Sequence, residues 1–325
     1  MRKLWFMAAI LGTNFAVAQQ KIDVQAHRGG MALMPENTIP AMLNAVKLGA
    51  RTLELDVVIS RDGKVVVSHD AFMSSAFMRK PNGAEISKEE EKQLSLYQMG
   101  YDSISRFDAG TKPHPRYPEQ AKMKVHKPLF SNLIDSVEHY VKAHKLKPVY
   151  YNIETKSSPA GDGFYNPNPD VFVRTMMAVI NSKNIKDRVT IQSFDVRTLQ
   201  VLHKEEPTVK LSLLVSGKMN ISAEELKKYG LSAKEIAEFM KQKEQNKGGL
   251  DEEIKRLGFV PHIYSPYYSG VDAELVKKAH EMKMQIVPWT VNKEADMVAL
   301  GKLGVDGIIS DYPDMLIKLF GSYQK

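Results

Sequence analysis

The chain has 325 residues, no cysteine and a formal net charge of +7, and 43% of its residues are hydrophobic. Without cysteine, disulfides and lipid attachment at a cysteine are excluded, so the hydrophobic core alone must stabilise the fold. The mild basic excess favours anionic substrates or surfaces. The basic residues are scattered among acidic ones, however, which argues against nucleic-acid binding.

Residues 1–18 have the pattern of an export signal rather than of a first core helix. Basic residues at positions 2 and 3 precede a short apolar run, and Ala16-Val17-Ala18 matches a small-residue cleavage site. The apolar run is too short for a transmembrane helix, which needs about 20 apolar residues. We expect cleavage after Ala18, a periplasmic or secreted protein, and no transmembrane segment in the mature chain.

Residues 19–325 are predicted to form a single domain, because no linker-like stretch divides them. Short apolar runs alternate with helical patterns, as in a parallel barrel. Eight barrel strands are predicted, near residues 23–27, 51–57, 149–155, 189–193, 209–215, 260–264, 285–289 and 307–310. The pattern indicates an α/β fold of the TIM-type (β/α)8 barrel class. An open doubly wound sheet is the alternative, but its glycine-rich dinucleotide fingerprint is missing.

An extra strand at residues 65–69 is predicted to pair with the second barrel strand as a hairpin arm. Asp62-Gly63 lies between the two apolar runs and is a strong signal for a two-residue hairpin loop. A symmetric loop of that length would place Asp56 opposite His69. The carboxylate would then favour a protonated imidazole and, by a slight margin, a role for His69 as an acid.

Two stretches interrupt the alternation of strands and helices. An insertion at about residues 71–128 follows the second barrel strand and its hairpin arm. Such a long loop either covers a functional site or runs over the surface without contacting it, and both alternatives stay open. The second stretch, residues 217–258, is rich in Lys and Glu. Its capping boxes, which start at Ser222 and Ser232, predict a solvated helical excursion.

Carboxylates interrupt two of the predicted strands. Glu54 and Asp56 share one face of the second strand, and Glu154 lies near the end of the third. Buried carboxylates need a cation or a donor group. Three of them without cysteine form a hard oxygen site, which favours Ca²⁺ or Mg²⁺ over zinc. The alternative is a structural network of ion pairs with nearby cations, namely Arg28, Arg51 and Lys156.

Four motifs occur in order in the first part of the chain: His27-Arg28-Gly29, Pro35-Glu36-Asn37-Thr38, Glu54-Leu55-Asp56 and His69-Asp70. Together they resemble the signature of the glycerophosphodiester phosphodiesterase family. Later motifs extend the resemblance over most of the chain: Glu154-Thr155-Lys156, Gln192-Ser193-Phe194, Trp289-Thr290-Val291-Asn292, Asp306-Gly307-Ile308 and Asp311-Tyr312-Pro313.

The resemblance implies a metal-dependent hydrolase that converts glycerophosphodiesters into glycerol 3-phosphate and an alcohol. His27 and His69 would be the acid and the base, since imidazoles titrate near neutral pH. The remaining expected site residues fall into four groups: Glu54, Asp56 and Glu154 for one Ca²⁺ or Mg²⁺, Arg28 and Lys156 for phosphoryl oxygens, Phe194 and Trp289 for the glycerol or alcohol moiety, and Glu36 in support.

Several alternatives stay open at this point. Phe194 and Trp289 could equally be ordinary core residues. The nucleophile is either water or the neighbouring glycerol hydroxyl, and the preferred alcohol and the oligomeric state are not specified. A related activity is phospholipase-type cleavage of intact or lyso phospholipids. A different class is a non-catalytic protein that binds envelope glycans or lipids, which is disfavoured because both histidines and all three carboxylates are present.

Overall fold

The computed structural model describes residues 22–216, 223–224, 236–237 and 249–324. Within these ranges the strands are β1 (Asp23–Ala26), β2 (Thr52–Ile59), β3 (Val65–Val67), β4 (Tyr150–Thr155), β5 (Val189–Ser193), β6 (Lys210–Val215), β7 (Ile263–Pro266), β8 (Gln285–Ile286) and β9 (Gly307–Ser310). All eight predicted barrel strands are present, with boundaries that differ by a few residues, and β3 is the predicted extra strand.

The helices follow the strands in alternation. They are α1 (Ile39–Leu48), α2 (Lys88–Glu91), α3 (Tyr101–Ile104), α4 (Phe130–Ala143), α5 (Pro169–Ser182), α6 (Val196–Glu205), α7 (Leu250–Leu257), α8 (Ala273–Glu281), α9 (Glu294–Leu303) and α10 (Pro313–Phe320). The long helices are amphipathic. In α4, for example, Phe130, Leu133, Ile134 and Val137 are buried, at the spacing of one helix face.

The sheet curves into a nearly closed parallel barrel. Its strand order is β8-β7-β6-β5-β4-β2-β1-β9, and β3 pairs with β2 outside this path. The two ends of the path approach each other, because the Ile309 amide donates to the Pro288 carbonyl and the Asp306 amide to the Ile286 carbonyl, both at 3.0 Å. The predicted TIM-type barrel is therefore confirmed.

The β2–β3 hairpin differs from the prediction by one residue. Val57 lies opposite Val67, and Ser60 donates to the Lys64 carbonyl at 2.9 Å, so the loop has three residues. Its last residue, Gly63, has φ +69°, the left-handed conformation that three-residue hairpin loops require. The predicted two-residue loop is wrong, and Ser68 rather than His69 bonds to the Asp56 backbone.

The insertion, residues 71–128, packs on the face of this hairpin that continues the Glu54 and Asp56 side of β2. Val58 and Val66 form a separate apolar cluster with insertion residues, chiefly Met73, Phe77, Met78, Ile86, Leu96, Ile104 and Phe107. This packing buries Val58, whereas the main core buries Leu53, Leu55, Val57 and Ile59 of the same strand. The insertion is therefore anchored beside the barrel strand that carries two of the predicted metal ligands.

Some predictions concern residues outside the described ranges. They are the predictions of the export signal, its cleavage site, both capping boxes and most of the helical excursion at 217–258. The end of that excursion is described, and it contains α7. Among the helices that are described, none combines the length and the apolar character needed to cross a membrane.

Candidate active site

The predicted metal ligands meet at one end of the barrel. Leu53, Leu55 and Val57 belong to the main hydrophobic core, so Glu54 and Asp56 occupy the opposite face of β2. The parallel register places Asp56 beside Glu154 of β4. One oxygen from each of these three carboxylates lies within 4.8 Å of the others, and all three side chains are buried.

A tight turn after β1 brings the chain to this cluster. Arg28 has φ +50°, and the Gly29 and Gly30 that follow are also left-handed. The turn directs the Arg28 amide towards Glu54, where it donates to Oε2 at 2.7 Å. A side chain at Gly29 would lie 2.8 Å from Cβ of Ala41 in α1, so only glycine fits.

Substitution of Gly29 by Ala is expected to lower the free energy of unfolding by about 2–4 kcal/mol, since backbone strain and a steric clash add. Gly83→Ala is the matched control: it has a similar φ of +83°, but a Cβ there meets no atom within 4 Å. Urea denaturation of both variants separates the cost of the backbone strain from the cost of the steric clash. Equal destabilisation would contradict the contact with Ala41.

Two residues just before α1 contact the carboxylates or the arginine beside them. Asn37 donates from Nδ2 to Oδ2 of Asp56 at 2.8 Å and accepts from the Asp56 amide at 3.2 Å. Arg28 donates from Nη1 to Oε1 of Glu36 at 2.9 Å, and Nε lies 3.5 Å from Oδ2 of Asp56. Glu36 is buried and does not line the cavity, so its contact with the site runs through Arg28.

The carboxylate cluster carries more negative charge than its neighbours balance. Burial, and then the charge of Asp56, raises the pKa of Glu54 well above its usual range. Burial likewise raises the pKa of Glu154 to about 7, although Lys156 donates to it at 2.6 Å. Oδ1 of Asp56 is buried and accepts no hydrogen bond from any described residue. The three carboxylates therefore fit a divalent cation.

The predicted ion-pair network exists only in part. Arg28 and Lys156 contact the cluster, with Lys156 Nζ at 3.8 Å from Oδ1 of Asp56. Arg51, by contrast, stacks over the ring of Tyr150, 4.6 Å from its centroid. Of the three cations in the predicted network, two contact the cluster of three buried carboxylates.

Each predicted catalytic histidine is oriented by a carboxylate. Nδ1 of His27 lies 2.5 Å from Oδ1 of Asp311, and Nδ1 of His69 lies 2.9 Å from Oδ1 of Asp70. Because a carboxylate engages Nδ1, Nε2 is the ring nitrogen available for proton transfer. Burial, and then the charges of Arg28 and Lys156, lowers the pKa of His69 to about 4. The charges around His69 therefore disfavour a protonated imidazole, in contrast to the effect expected from a pairing with Asp56.

Asp311 is almost fully buried and accepts bonds from three side chains. Its Oδ2 accepts from Nδ2 of Asn292 at 2.6 Å and from the hydroxyl of Tyr117. Burial opposes its ionisation, but the charge of His27 and these hydrogen bonds outweigh it and hold the pKa of Asp311 below its usual range. Tyr117 belongs to the insertion, so the insertion contacts the site, in agreement with the first of the two alternatives.

These groups face one cavity of about 290 Å³. Phe194, Trp289 and Tyr267 form an aromatic wall, with the Trp289 ring centroid 5.3 Å from that of Phe194 and 5.5 Å from that of Tyr267. Trp289 is fixed by a 2.8 Å bond from Nε1 to the Ser265 carbonyl. Phe194 is 37% exposed, so it is not an ordinary core residue.

Comparison with known proteins agrees with this geometry. The model of the glycerophosphoryl diester phosphodiesterase family matches residues 27–315, nearly the whole of the described barrel. The chain belongs to this family. The prediction of a glycerophosphodiester phosphodiesterase is thereby confirmed.

Individual relatives resemble the chain over almost its full length. A glycerophosphodiester phosphodiesterase from Caldanaerobacter subterraneus subsp. tengcongensis is 28% identical, over 92% of this chain and 98% of its own. A crystal structure from Silicibacter pomeroyi DSS-3 has a TM-score of 0.74 and 26% identity, covering 94% and 96%. An Oleispira antarctica phosphodiesterase, solved with the product sn-glycerol-3-phosphate, has a TM-score of 0.66 and 20% identity, covering 92% and 97%.

The family motifs supply most of the cavity wall. The predicted site residues that line it are His27, Arg28, Glu54, His69, Glu154, Lys156, Phe194 and Trp289. The other two predicted site residues, Glu36 and Asp56, are buried and do not line the cavity.

Sequence reasoning missed several residues at the site, namely Asn37, Asp70, Tyr117, Gln192, Tyr267, Asn292 and Asp311. Gln192 donates from Nε2 to Oε1 of Glu54 at 2.8 Å. Asn37, Gln192, Asn292 and Asp311 all stand in motifs of this phosphodiesterase family, and that was the available signal. Tyr117 stands in none of these motifs, so only the structure could find it.

Proposed function

We propose that the protein is a metal-dependent hydrolase that cleaves glycerophosphodiesters into sn-glycerol 3-phosphate and an alcohol. The observation that carries the proposal is a single cavity lined by two histidines, each oriented by a carboxylate, and by Glu54 and Glu154 of the three-carboxylate cluster. The Oleispira relative, which binds sn-glycerol-3-phosphate, supports the identity of the product.

Glu54, Asp56 and Glu154 would hold one divalent cation, and their hard oxygen donors favour Ca²⁺ or Mg²⁺. When bound, such a cation supplies positive charge to a phosphoryl oxygen. Arg28 and Lys156 bind the remaining phosphoryl oxygens, Arg28 through its planar guanidinium and Lys156 as a point charge. The wall of Phe194 and Trp289 packs against the carbon atoms of the glycerol or of the alcohol.

The two histidines divide the proton transfers. His69 is neutral at pH 7, because its pKa is about 4, so it accepts the proton of the nucleophile. Asp311 contacts Nδ1 of His27, so Nε2 of His27 faces the reaction and donates a proton to the oxygen of the leaving alcohol. The new bond from the nucleophile to phosphorus forms as the bond to that oxygen breaks. This assignment reverses the one favoured by the predicted hairpin register.

A substrate panel tests the function. Purified residues 19–325 are assayed on glycerophosphocholine, glycerophosphoethanolamine, glycerophosphoinositol and lysophospholipids, after chelation and again with Ca²⁺ or Mg²⁺ added back. We expect metal-dependent release of sn-glycerol 3-phosphate. Cleavage of the lysophospholipids alone would instead support the phospholipase-type alternative, and binding without turnover would support a non-catalytic protein. Full activity in excess chelator would contradict the role of the metal.

The nucleophile can be identified in the same assay. Attack by the neighbouring glycerol hydroxyl passes through a cyclic phosphate, whereas attack by water gives sn-glycerol 3-phosphate directly. Phosphorus NMR during turnover distinguishes the two routes, because only the first produces a cyclic species.

We further propose that residues 1–18 are an export signal and that residues 19–325 form one periplasmic or secreted domain. N-terminal sequencing of protein recovered outside the cytoplasm of a bacterial host is expected to begin at Gln19, directly after Ala18. Recovery of an intact Met1 terminus there would contradict the cleavage site.

A further inference from the structure

We propose that Tyr117 is a positioning residue for His27: its hydroxyl fixes Asp311 so that the other carboxylate oxygen meets Nδ1 of the histidine. The inference deepens the proposed function and rests on the proton transfer assigned to His27. It gives the insertion a part in the reaction through a residue that stands in none of the motifs described above.

The contacts of Asp311 carry the argument. Oδ1 faces Nδ1 of His27 at 2.5 Å, while Oδ2 accepts from both Asn292 and the Tyr117 hydroxyl. A carboxylate with two donors on one oxygen is restrained in rotation, so its second oxygen points in a defined direction. Because that oxygen bonds to Nδ1 of His27, it sets both the ring orientation and the tautomer of His27.

Tyr117 itself is held firmly. Its ring contacts those of His114 and Tyr312, with centroid distances of 5.3 and 6.0 Å. Three residues later, Gln120 donates from Nε2 to the Met31 carbonyl at 2.6 Å, which ties this part of the insertion to the loop after β1. Burial, and then the charge of Asp311, raises the pKa of Tyr117, so its hydroxyl stays protonated and donates.

The test compares Tyr117→Phe with the wild type by kinetics and by ¹⁵N NMR of labelled histidine. His27→Ala serves only to assign the His27 signals. The spectra are recorded at a pH high enough for the His27 ring to be neutral, where the wild-type shifts should report a tautomer protonated at Nδ1. In Tyr117→Phe we expect a mixture of tautomers and a kcat lower by about 10- to 100-fold, with KM nearly unchanged, as for removal of a group that orients a catalytic residue.

Tyr101→Phe is the matched control. It removes another hydroxyl of the insertion, which donates to the Lys127 carbonyl at 3.3 Å and accepts from the Leu129 amide at 3.1 Å. This variant should leave the His27 tautomer and kcat as in the wild type, even if its melting temperature falls. Similar losses of kcat in both variants, with unchanged His27 signals, would show that the insertion acts only through stability.

The remaining outcomes also decide whether Tyr117 positions His27. If Tyr117→Phe raises KM alone, Tyr117 contacts the substrate and the positioning role is wrong. If neither kcat nor the His27 signals change, the inference is likewise overturned. If the wild type hydrolyses no glycerophosphodiester, the proposed function fails. The tautomer measurement still decides whether Tyr117 orients His27 through Asp311, because it needs no turnover.

Discussion

Glu54→Gln is expected to abolish divalent-cation binding and, with it, nearly all hydrolysis of glycerophosphodiesters. The substitution keeps the side-chain volume but removes one of three ligand charges, and affinity for these hard cations depends on ligand charge. We expect cation affinity, measured by isothermal titration calorimetry, to fall by at least about 100-fold, a larger effect than for residues that only orient a ligand. The fold should survive, because Gln has nearly the same volume and keeps one acceptor oxygen for the Arg28 amide, although it loses the bond from Gln192.

Thermal stability provides a readout that needs no turnover. A cation that binds only the folded state stabilises it, so Ca²⁺ or Mg²⁺ should raise the melting temperature of the wild type and much less that of Glu54→Gln. Without added cation, the variant should be at least as stable as the wild type, since burial and neighbouring charges already oppose ionisation of Glu54.

Glu91→Gln is a suitable control for both measurements. Glu91 is also a buried glutamate and accepts two bonds from Ser75, at 2.9 and 2.6 Å, but it lies in the insertion, outside the cluster. This variant should retain cation affinity. If Glu54→Gln binds the cation as tightly as Glu91→Gln does, Glu54 is not a ligand and the cluster is a structural ion-pair network.

The barrel was predictable because its signals are local. Each barrel strand is a short apolar run, and the ends of parallel strands meet at one end of a barrel. The alternation along β2 placed Glu54 and Asp56 on one face without any knowledge of the rest of the structure. Glu154 was predictable for a similar reason, because it interrupts another apolar strand, β4, which pairs directly with β2.

The hairpin register failed because Asp-Gly occurs in loops of different lengths. In a two-residue loop both residues take up left-handed conformations, whereas a three-residue loop needs only its last residue there. Gly63 satisfies either geometry, and Arg61, which completes the loop, carries no distinguishing signal. Although His69 is not paired with Asp56 in the sheet, it still reaches the cavity, because the chain bends directly after β3.

The hydrogen-bond partners of Asp311 could not be predicted from the sequence, for a different reason. His27 and Tyr117 lie 284 and 194 positions away from it in the sequence. No periodicity or local motif encodes such a contact. Tyr117 is further hidden because it follows an irregular stretch of the insertion, where neither a strand nor a helix predicts the direction of its side chain.

The two catalytic histidines are expected to respond differently to the leaving group. On glycerophosphocholine, His27→Ala and His69→Ala should each lower kcat/KM by about 100- to 10,000-fold, the usual contribution of a general acid or base. The p-nitrophenyl ester of glycerol 3-phosphate needs little protonation of its leaving oxygen. It should therefore restore most of the rate of His27→Ala, the variant that lacks the acid, and little of the rate of His69→Ala.

His280→Ala controls for the loss of a histidine–aspartate pair as such. His280 also contacts an aspartate, with Nε2 at 2.8 Å from Oδ2 of Asp306, but neither residue lines the active-site cavity, so both substrates should be cleaved at wild-type rates. The opposite pattern, with rescue of His69→Ala only, would make His69 the acid, as the predicted register suggested. If His27→Ala and His69→Ala both cleave glycerophosphocholine at near-wild-type rates, the two histidines have a structural role. Removal of a general acid or base must lower the rate.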